Sequence, residues 1–530
     1  MVPDPKVLQR RLRALAEADA AGILAGNRIG IEKEALRVSP EGRIAATPHR
    51  AALGSALTHP HITTDFSEAL IELITPALQD ADQVLSFLAD LHTEVYQQLE
   101  DELLWATSMP CVLEGGRNIP LAVYGRSNAA TMKTAYRRGL GNRYGRTMQV
   151  IAGVHFNFSF GDAFWDRYQD LEDDRGDPLH FRSESYMAMI RNLQRVGWLV
   201  PYLFGASPAV CGSFVQGRET DLVPFDAHTL HYPYATSLRL GDIGYQNQQE
   251  EGTGLKANYD SLDSYIRSLT WAIETPCPQY EAIGIKVGGR YEQLNANLLQ
   301  IENEYYSTVR PKQLIEWLEK PTLALRRRGV RYVELRSLDV NAFEPVGLGM
   351  EQLRFLEILM LYCLLADSPR IAAWERRAID GNQILTAHRG REPGLLLNQG
   401  GSGIPLERWA GEILESMEPV AELLDGAAGG PRGESLGLQR AKVRDAELTP
   451  SARLLGEMRQ RGEGFFDFSY RVSDEHRASL EARSLSAERQ ALFARLVDES
   501  RARQEEIEAA DDVDFETFLA RYFGQGRALD

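Results

Sequence analysis

Two glutamates stand two positions apart in the segment IGIEKEALRV, which runs from residue 29 to residue 38. Side chains alternate between the two faces of a β-strand. As a strand, this segment therefore places the carboxylates of Glu32 and Glu34 on one face, about 7 Å apart, and Ile29, Ile31 and Ala35 on the other. Two like charges on one sheet face need a cation nearby. The pair predicts a strand whose polar face meets positive charge.

The same alternation recurs in two later segments. In GVHFNFSF, His155 and Asn157 alternate with phenylalanines, and in RYVELRSLD, Glu334 and Arg336 alternate with valine and leucine. Any one of these side chains can simply belong to the solvated face of a half-buried sheet. A further segment, QLNANLLQIENEYY, repeats the spacing of two and predicts the same arrangement for Asn295, Asn297, Glu302 and Glu304.

Glu72 is an exception among these acids because it lies inside the apolar run ALIELITP, seven residues after Asp65. An unpaired charge among leucines and isoleucines is costly to desolvate unless a cation lies beside it. Two carboxylates about 4 Å apart repel by about 4 kcal/mol at an effective dielectric near 20, so a face that collects five or six of them needs counter-charge, and the simplest counter-charge is divalent metal. Oxygen ligands with one candidate imidazole, that of His155, favour Mg²⁺ or Mn²⁺ over zinc.

Composition excludes several classes of function. The chain has 530 residues and a formal net charge of -17, without a long basic run, which argues against a nucleic-acid binder. The four cysteines have no metal-ligand spacing and favour a reducing compartment.

The longest apolar run, residues 358–366, is far shorter than the ~20 residues that span a bilayer, and the N-terminus lacks the pattern of a signal peptide. We expect a cytoplasmic protein without a membrane partner. No GxxxxGK[ST] loop is present, so nucleotide binding of the P-loop kind is not expected.

The order of predicted elements favours an α+β fold with a mostly antiparallel sheet, because the regular βα spacing of a doubly wound sheet is missing. Helical apolar spacing over 81–103, 262–273 and 352–366 predicts helices that cover the sheet. A Gly-rich stretch, GAAGGPRGES, indicates a linker near residue 426, and Thr449-Pro450 predicts a helix start. Helical spacing continues from 486 to 523. We therefore expect a catalytic domain over 1–425 and a linker with a C-terminal helical region over 426–530.

Several long strings together carry a family resemblance: IGIEKEALRV, THPHITTDFSEALIELITP, NRYGRTMQVIAGVHFNFSF, PYATSLRLGDIGY, LLQIENEYYSTVRPK and YVELRSLDVN. They closely resemble glutamate-cysteine ligase of the proteobacterial monomeric type (type 1). The resemblance implies a glutamine-synthetase-like fold, in which a curved antiparallel sheet forms a funnel whose inner face holds the metals. It also implies that ATP phosphorylates the γ-carboxylate of glutamate and that the cysteine amine then displaces phosphate, giving γ-glutamylcysteine.

The resemblance assigns roles to residues of this chain. It implies two or three Mg²⁺ (or Mn²⁺) ions held by Glu32, Glu34, Asp65, Glu72, His155 and Glu334. It implies an amino-acid pocket of Tyr136, Leu140, Gln149, Ile151, Arg239, Tyr245 and Arg336, without dividing these between glutamate and cysteine. Glu334 and Arg336 are the expected catalytic pair, with Arg336 placed to hold the transferring phosphoryl group or the tetrahedral intermediate. From the polar-face pattern we infer contacts to ATP for Asn297, Glu302 and Glu304.

Other functions remain open at this point. A ligase for a different amine, or a guanidine phosphotransferase, could use the same fold and metals. A non-catalytic sensor of small molecules is disfavoured because all six expected metal ligands are present. The family also implies a monomer and feedback inhibition by glutathione.

Overall fold

The computed structural model describes residues 4–18, 20–110, 112–215, 218–244, 256–426 and 429–526. Within this part of the chain the strands are β1 Arg28–Val38, β2 Ile62–Thr64, β3 Leu70–Ile74, β4 Leu103–Leu104, β5 Val154–Ser159, β6 Ala209–Cys211, β7 Val223–Pro224, β8 Thr229–His231, β9 Lys286–Val287, β10 Arg290–Tyr291, β11 Val309–Lys312, β12 Tyr332–Leu338, β13 Leu396–Gln399 and β14 Ser402–Pro405.

The helices, numbered in the same way, are α1 Pro5–Glu17, α2 Ala20–Leu24, α3 Ala81–Gln98, α4 Asn128–Tyr144, α5 Asp162–Leu171, α6 Pro178–Val196, α7 Leu199–Phe204, α8 Leu262–Glu274, α9 Pro278–Glu281, α10 Pro321–Arg328, α11 Met350–Leu365, α12 Ala373–Arg389, α13 Leu406–Ser416, α14 Glu418–Asp425, α15 Pro431–Arg444, α16 Pro450–Arg461, α17 Phe465–Glu481, α18 Ala487–Ala509 and α19 Phe515–Gly524. No helix among the described residues is long and apolar enough to cross a membrane.

A seven-stranded sheet organises the molecule. Its strand order is β11-β12-β5-β1-β3-β2, and β4 pairs with the end of β1. Every pairing in this sheet is antiparallel. The predicted α+β architecture with an antiparallel sheet is therefore confirmed.

One face of this sheet forms part of the hydrophobic core. Ile31 on β1 lies opposite Phe156 on β5, which in turn lies opposite Leu335 on β12. These three side chains are buried, as are Ile29 and Phe158 on the same face. Since side chains alternate along each strand, burying this apolar set commits the intervening polar residues to the opposite face.

Most predicted helices are present, with shifted ends. Helix α3 stops at Gln98 rather than near residue 103, because Leu103 and Leu104 pair with the end of β1. The pattern from 486 to 523 divides into α18 and α19, and Asp514 caps the second helix. Thr449 caps α16 with Pro450 in the first turn, as predicted.

The Gly-rich stretch is shorter than expected, since α15 already begins at Pro431. Helix α15 packs against the buried helix α11. Leu436 of α15 and Phe468 of α17 belong to the same hydrophobic core as the sheet residues. The division at residues 425 and 426 stays a prediction.

The strand expected around residues 295–304 is wrong. Asn295 lies outside any helix or strand, and Asn297 forms only an isolated antiparallel bridge with Pro276. The backbone N–H of Asn297 donates to Asn295 Oδ1 (3.0 Å), and Glu302–Glu304 forms one turn of 3₁₀ helix. Short-range hydrogen bonds from asparagine side chains compete with a strand ladder, which explains why a spacing of two did not indicate a strand here.

Candidate active site

The polar face of the central sheet collects the predicted metal ligands. On β1, Glu32 lies directly opposite His155 of β5, and Glu34 lies directly opposite Glu72 of β3. On β12, Glu334 lies opposite Asn157 of β5. Antiparallel pairing thus places acids from three strands on one face, and Asp65 follows directly after β2. The structure brings the predicted acids and the imidazole together.

His155 lies at the centre of this group. Its Nδ1 is 3.1 Å from Glu32 Oε2 and 3.8 Å from Glu334 Oε1, and its Nε2 is 3.8 Å from Glu34 Oε1. Glu32, Glu72 and His155 each offer one ligand atom, and these atoms lie within 4.8 Å of one another. Such spacing lets one small cation contact all three side chains.

The two sides of this face differ in electrostatics. Burial, followed by repulsion from Asp65, raises the pKa of Glu34 to about 8. Burial, with repulsion from Glu32 and Asp65, also raises the pKa of Glu72 well above its usual range. These carboxylates therefore resist ionising together in the metal-free protein, and a divalent cation beside them would remove that resistance.

Glu334 has the opposite environment. Burial disfavours its charge, but Lys312 Nζ lies 3.5 Å from Oε2 and Arg336 Nη1 lies 3.1 Å from Oε1, and these cations lower the pKa of Glu334. Arg310 lies directly opposite Glu334 across the β11–β12 pair. Lysine and arginine thus form close ion pairs with the acid at the β12 side, whereas at the β3 side Arg137 lies 3.7 Å from Asp65 and, among the described residues, no lysine or arginine forms an ion pair with Glu34 or Glu72.

The donor set fits a hard divalent cation. Carboxylate oxygens dominate it, a single imidazole joins them, and no cysteine lies in the metal-ligand group found among the described residues. Mg²⁺ and Mn²⁺ prefer such oxygen-rich sites, whereas zinc prefers nitrogen and sulfur ligands.

Arg239 is a buried guanidinium with unused donors. Its Nη2 donates to the backbone oxygen of Arg336 (2.8 Å), and its Nη1 lies 3.8 Å from the carboxylate of Asp339. Within the described residues its Nε and Nη1 have no hydrogen-bond partner. Buried donors of this kind are normally satisfied, so Arg239 is suited to bind the carboxylate of a ligand.

We call the part of the polar face that carries Glu32, Glu34, Glu72, His155 and Glu334 the metal face, after the ions predicted for it. The segment before β5 links Arg239 to this face. The Gly153 amide N–H donates to Glu34 Oε2 (2.6 Å), and a Cβ at Gly153 would overlap the guanidinium of Arg239. The predicted pocket residues Gln149 and Ile151 are buried in this same segment. Glycine at 153 thus permits close approach of Arg239 to the metal face.

Tyr136 and Leu140 lie on α4, and both are half-buried. The neighbouring Arg137 connects this helix with the metal face, since its Nη2 is 3.7 Å from Asp65 Oδ1. Tyr136 also packs on a small apolar cluster that includes residues of α19. Tyr245, the remaining predicted pocket residue, lies outside the described residues.

The three residues assigned to ATP have contacts within the protein. Glu304 forms a buried ion pair with Arg143 (2.8 Å) and accepts from Tyr144 Oη (2.7 Å). Glu302 Oε1 accepts from Thr322 Oγ1 (2.5 Å), and Asn297 Nδ2 donates to the oxygen of Ile273 (2.6 Å). Their role in nucleotide binding stays a prediction.

Sequence reasoning did not select Asn157, Lys312 or Asp339 as site residues. Asn157 carried a usable signal, because it alternates with the phenylalanines of β5 in step with His155. Lys312 lies two positions after Arg310 on β11, the spacing that places both on one strand face. Asp339 had no such signal, because its contacts with Ser207 (2.6 Å) and Ser237 (2.9 Å) come from distant segments.

Comparisons with known proteins show the family of this chain. The glutamate-cysteine ligase family model matches residues 12–385. A glutamate–cysteine ligase of Alcanivorax borkumensis is 48% identical over 525 residues, covering 98% of this chain and 99% of the relative. One of Pseudomonas aeruginosa is 47% identical over 517 residues, covering 97% of this chain and 98% of the relative.

The crystal structure of glutamate–cysteine ligase from Francisella tularensis in complex with AMP has a TM-score of 0.88 and 34% identity, covering 94% of this chain and 97% of that one. A bifunctional glutathione synthetase from Pasteurella multocida shares the fold, with a TM-score of 0.72 and 22% identity over 92% of this chain and 58% of that one.

Proposed function

The chain belongs to the glutamate–cysteine ligase family, and we propose that the polar face of its central sheet is where glutamate is activated and joined to cysteine. The activity is ATP-dependent formation of γ-glutamylcysteine, the first step of glutathione synthesis. One observation supports this location above the others. Glu34 and Glu72 lie directly opposite each other on β1 and β3, no lysine or arginine in the described part of the chain forms an ion pair with either of them, and the nearby Arg239 has unused donors.

We assign the metal ions to this face. Glu32, Glu34, Asp65, Glu72, His155 and Glu334 would hold them, and the ions would neutralise the phosphates of ATP and the γ-carboxylate of glutamate. Two anions must meet for a phosphoryl group to pass between them, so neutralising and positioning them is the main requirement of this step. Ionised carboxylates opposite each other on β1 and β3 meet that requirement only when cations are bound.

The side chains around the metal face divide the remaining tasks. Arg336 is held by Glu334 at 3.1 Å, and its Nε is buried without a hydrogen-bond partner among the described residues, so it can donate to the transferring phosphoryl group. Arg239 is held by the backbone of Arg336 and can bind a substrate carboxylate. A γ-carboxylate oxygen of glutamate attacks the γ-phosphorus of ATP and releases ADP. The cysteine amine then attacks the acyl carbon, and phosphate leaves.

A coupled assay of ADP release tests this function. The full chain is incubated with ATP, Mg²⁺, glutamate and cysteine, each omitted in turn, and the product mass is measured. We expect release of ADP only when both amino acids and the metal are present, with γ-glutamylcysteine as product. ADP release without either amino acid, or a product formed with another amine in preference to cysteine, would contradict the proposal.

The roles of single residues need a separate test. Arg239→Lys keeps the charge but loses the planar fork, so we expect a higher KM for one amino acid and an unchanged affinity for Mn²⁺. Equal losses of amino-acid and metal affinity would contradict the assignment of Arg239 to a substrate carboxylate. The monomeric state, the cytoplasmic location and inhibition by glutathione stay predictions from the sequence.

A further inference from the structure

Asn157 lies in the middle of the metal face but is not among the expected ligands. It is on β5, two positions after His155, opposite Gly30 of β1 and Glu334 of β12. Its Nδ2 donates to Glu32 Oε1 (2.8 Å), while the other oxygen of Glu32 is 3.1 Å from His155 Nδ1. Asn157 and His155 together fix the orientation of Glu32.

The contact with Glu32 determines which way the amide of Asn157 points. A carboxylate accepts hydrogen bonds and does not donate them, so the NH₂ group must face Glu32 and Oδ1 must face away from it. This oxygen is buried and has no hydrogen-bond partner within the described part of the chain. Buried amide oxygens normally have a partner, and one without a donor is suited to a cation.

Glu334, the cross-strand neighbour, has a matching feature. Its Oε2 is buried and has no hydrogen bond among the described residues, although Lys312 Nζ lies 3.5 Å away. Directly opposite residues of an antiparallel pair have Cβ atoms about 4.5–5.5 Å apart, close enough for two such side chains to share a small ion. Oε2 faces Lys312 on β11, whereas Glu334 Oε1 lies 3.8 Å from His155 Nδ1 on β5, so Oε1 is the oxygen that an ion beside Asn157 Oδ1 would contact.

We propose that Asn157 is a metal-binding residue of this site. Its Oδ1 ligates a cation shared with the cross-strand neighbour Glu334, and its Nδ2 holds Glu32 in place. The inference rests on the proposed function, which puts metal on this face. A neutral amide suits this position because it adds an oxygen ligand without adding repulsion to a face that already holds several carboxylates.

Three variants and two readouts test the inference without turnover. Asn157→Asp, Asn157→Leu and the control Ser159→Asp, which adds an acid farther along the same strand face, are compared with the unsubstituted protein. The readouts are Mn²⁺ affinity, measured by electron paramagnetic resonance without substrates, and Tm in EDTA and in saturating Mn²⁺. We expect Asn157→Leu to weaken Mn²⁺ binding about 10- to 100-fold. Ser159→Asp should stay within about twofold, since it changes no ligand.

Asn157→Asp separates direct binding from an effect through Glu32. In EDTA its Tm should fall, because a carboxylate replaces the donor beside Glu32. In Mn²⁺ its Tm should rise by more than that of the unsubstituted protein, because a charged oxygen binds the ion more strongly than a neutral one. A smaller Mn²⁺-dependent rise, with weaker binding as in Asn157→Leu, would overturn direct ligation.

Two further outcomes separate a failure of this inference from a failure of the proposed function. Unchanged Mn²⁺ affinity in the Asp and Leu variants would overturn any role of Asn157 in metal binding. Absence of Mn²⁺ binding by the unsubstituted protein would instead overturn the metal assignment of the proposed function. If Asn157→Asp does not fold, Asn157→Ser gives the decision: weaker Mn²⁺ binding than in the unsubstituted protein supports the inference, and equal binding overturns it.

Discussion

Replacing Glu34 with glutamine should stabilise the metal-free protein and weaken its metal binding. The Glu34 side chain is 8% exposed, and its pKa is raised from 4.5 to about 8. A carboxyl group whose pKa is higher in the folded state destabilises that state once the pH exceeds the unfolded pKa. The penalty is absent below pH 4.5, grows as pH rises, and is complete above pH 8. At pH 7 it amounts to about 3 kcal/mol.

Glutamine removes this penalty while keeping the local contact. Its amide oxygen can still accept from the Gly153 N–H, which donates to Glu34 at 2.6 Å. For a chain of 530 residues, about 3 kcal/mol corresponds to a rise in Tm of about 3 °C. The stability gain of Glu34→Gln in EDTA should therefore be near zero at pH 4.5 and increase toward pH 8.

Adding metal should reverse the order of stability. Mg²⁺ or Mn²⁺ favours the ionised form of Glu34, so the unsubstituted protein gains more stability from metal than the variant does and releases protons on binding. Differential scanning fluorimetry from pH 4.5 to pH 8, with EDTA or Mn²⁺, measures the gain in stability that each protein obtains from metal. Calorimetry in buffers of different ionisation enthalpy measures the number of protons released on metal binding.

The exposed residue Glu505 provides a matched control, because Glu505→Gln removes the same charge away from the site. We expect no pH-dependent difference in Tm for this variant. The reasoning about Glu34 is refuted if Glu34→Gln is less stable than the unsubstituted protein in EDTA at pH 7, or if both proteins gain equally from Mn²⁺.

Three further substitutions have distinct expected outcomes. Gly153→Ala should raise KM for one amino acid by at least about 10-fold, with unchanged Mn²⁺ affinity, because its Cβ would displace the guanidinium of Arg239. Lys33→Met should stabilise the protein at pH 7 by at most about 4 kcal/mol and abolish a rise in stability between pH 7 and pH 10, because burial lowers the pKa of Lys33 to about 7. Leu519→Ala on α19 should weaken amino-acid binding and leave Mn²⁺ binding intact, because the same apolar cluster supports Tyr136.

The sheet and its polar face could be predicted from the sequence because strand alternation is a local property. Once Ile31 and Phe156 are buried, Glu32 and His155 must lie on the other face. The pattern does not specify which strands are neighbours. The cross-strand position of Glu34 opposite Glu72 depends on β3 pairing with β1, and that pairing is set by long-range packing.

Residues that act through distant contacts could not be predicted in this way. Asp339 belongs to the site because the Ser207 and Ser237 hydroxyls orient its carboxylate near Arg239, and these segments meet only in the folded chain. The failed strand at residues 295–304 has a local cause, since the Asn295 side chain accepts a hydrogen bond from the Asn297 backbone N–H, and such local bonds compete with strand pairing. Spacing of polar residues is therefore informative only where an apolar set alternates with it.

The uneven charge along the polar face gives the two halves of the site different dependence on metal. At the β12 side, Lys312 and Arg336 already neutralise Glu334, so a phosphate arriving there meets positive charge without a bound ion. At the β3 side, Glu34 and Glu72 have raised pKa values and, within the described residues, no ion pair with a lysine or arginine, so a metal must replace protons before an anionic carboxylate can approach. We therefore expect metal to change the affinity for glutamate more than the affinity for nucleotide. Equal dependence of both affinities on Mn²⁺ would contradict this division.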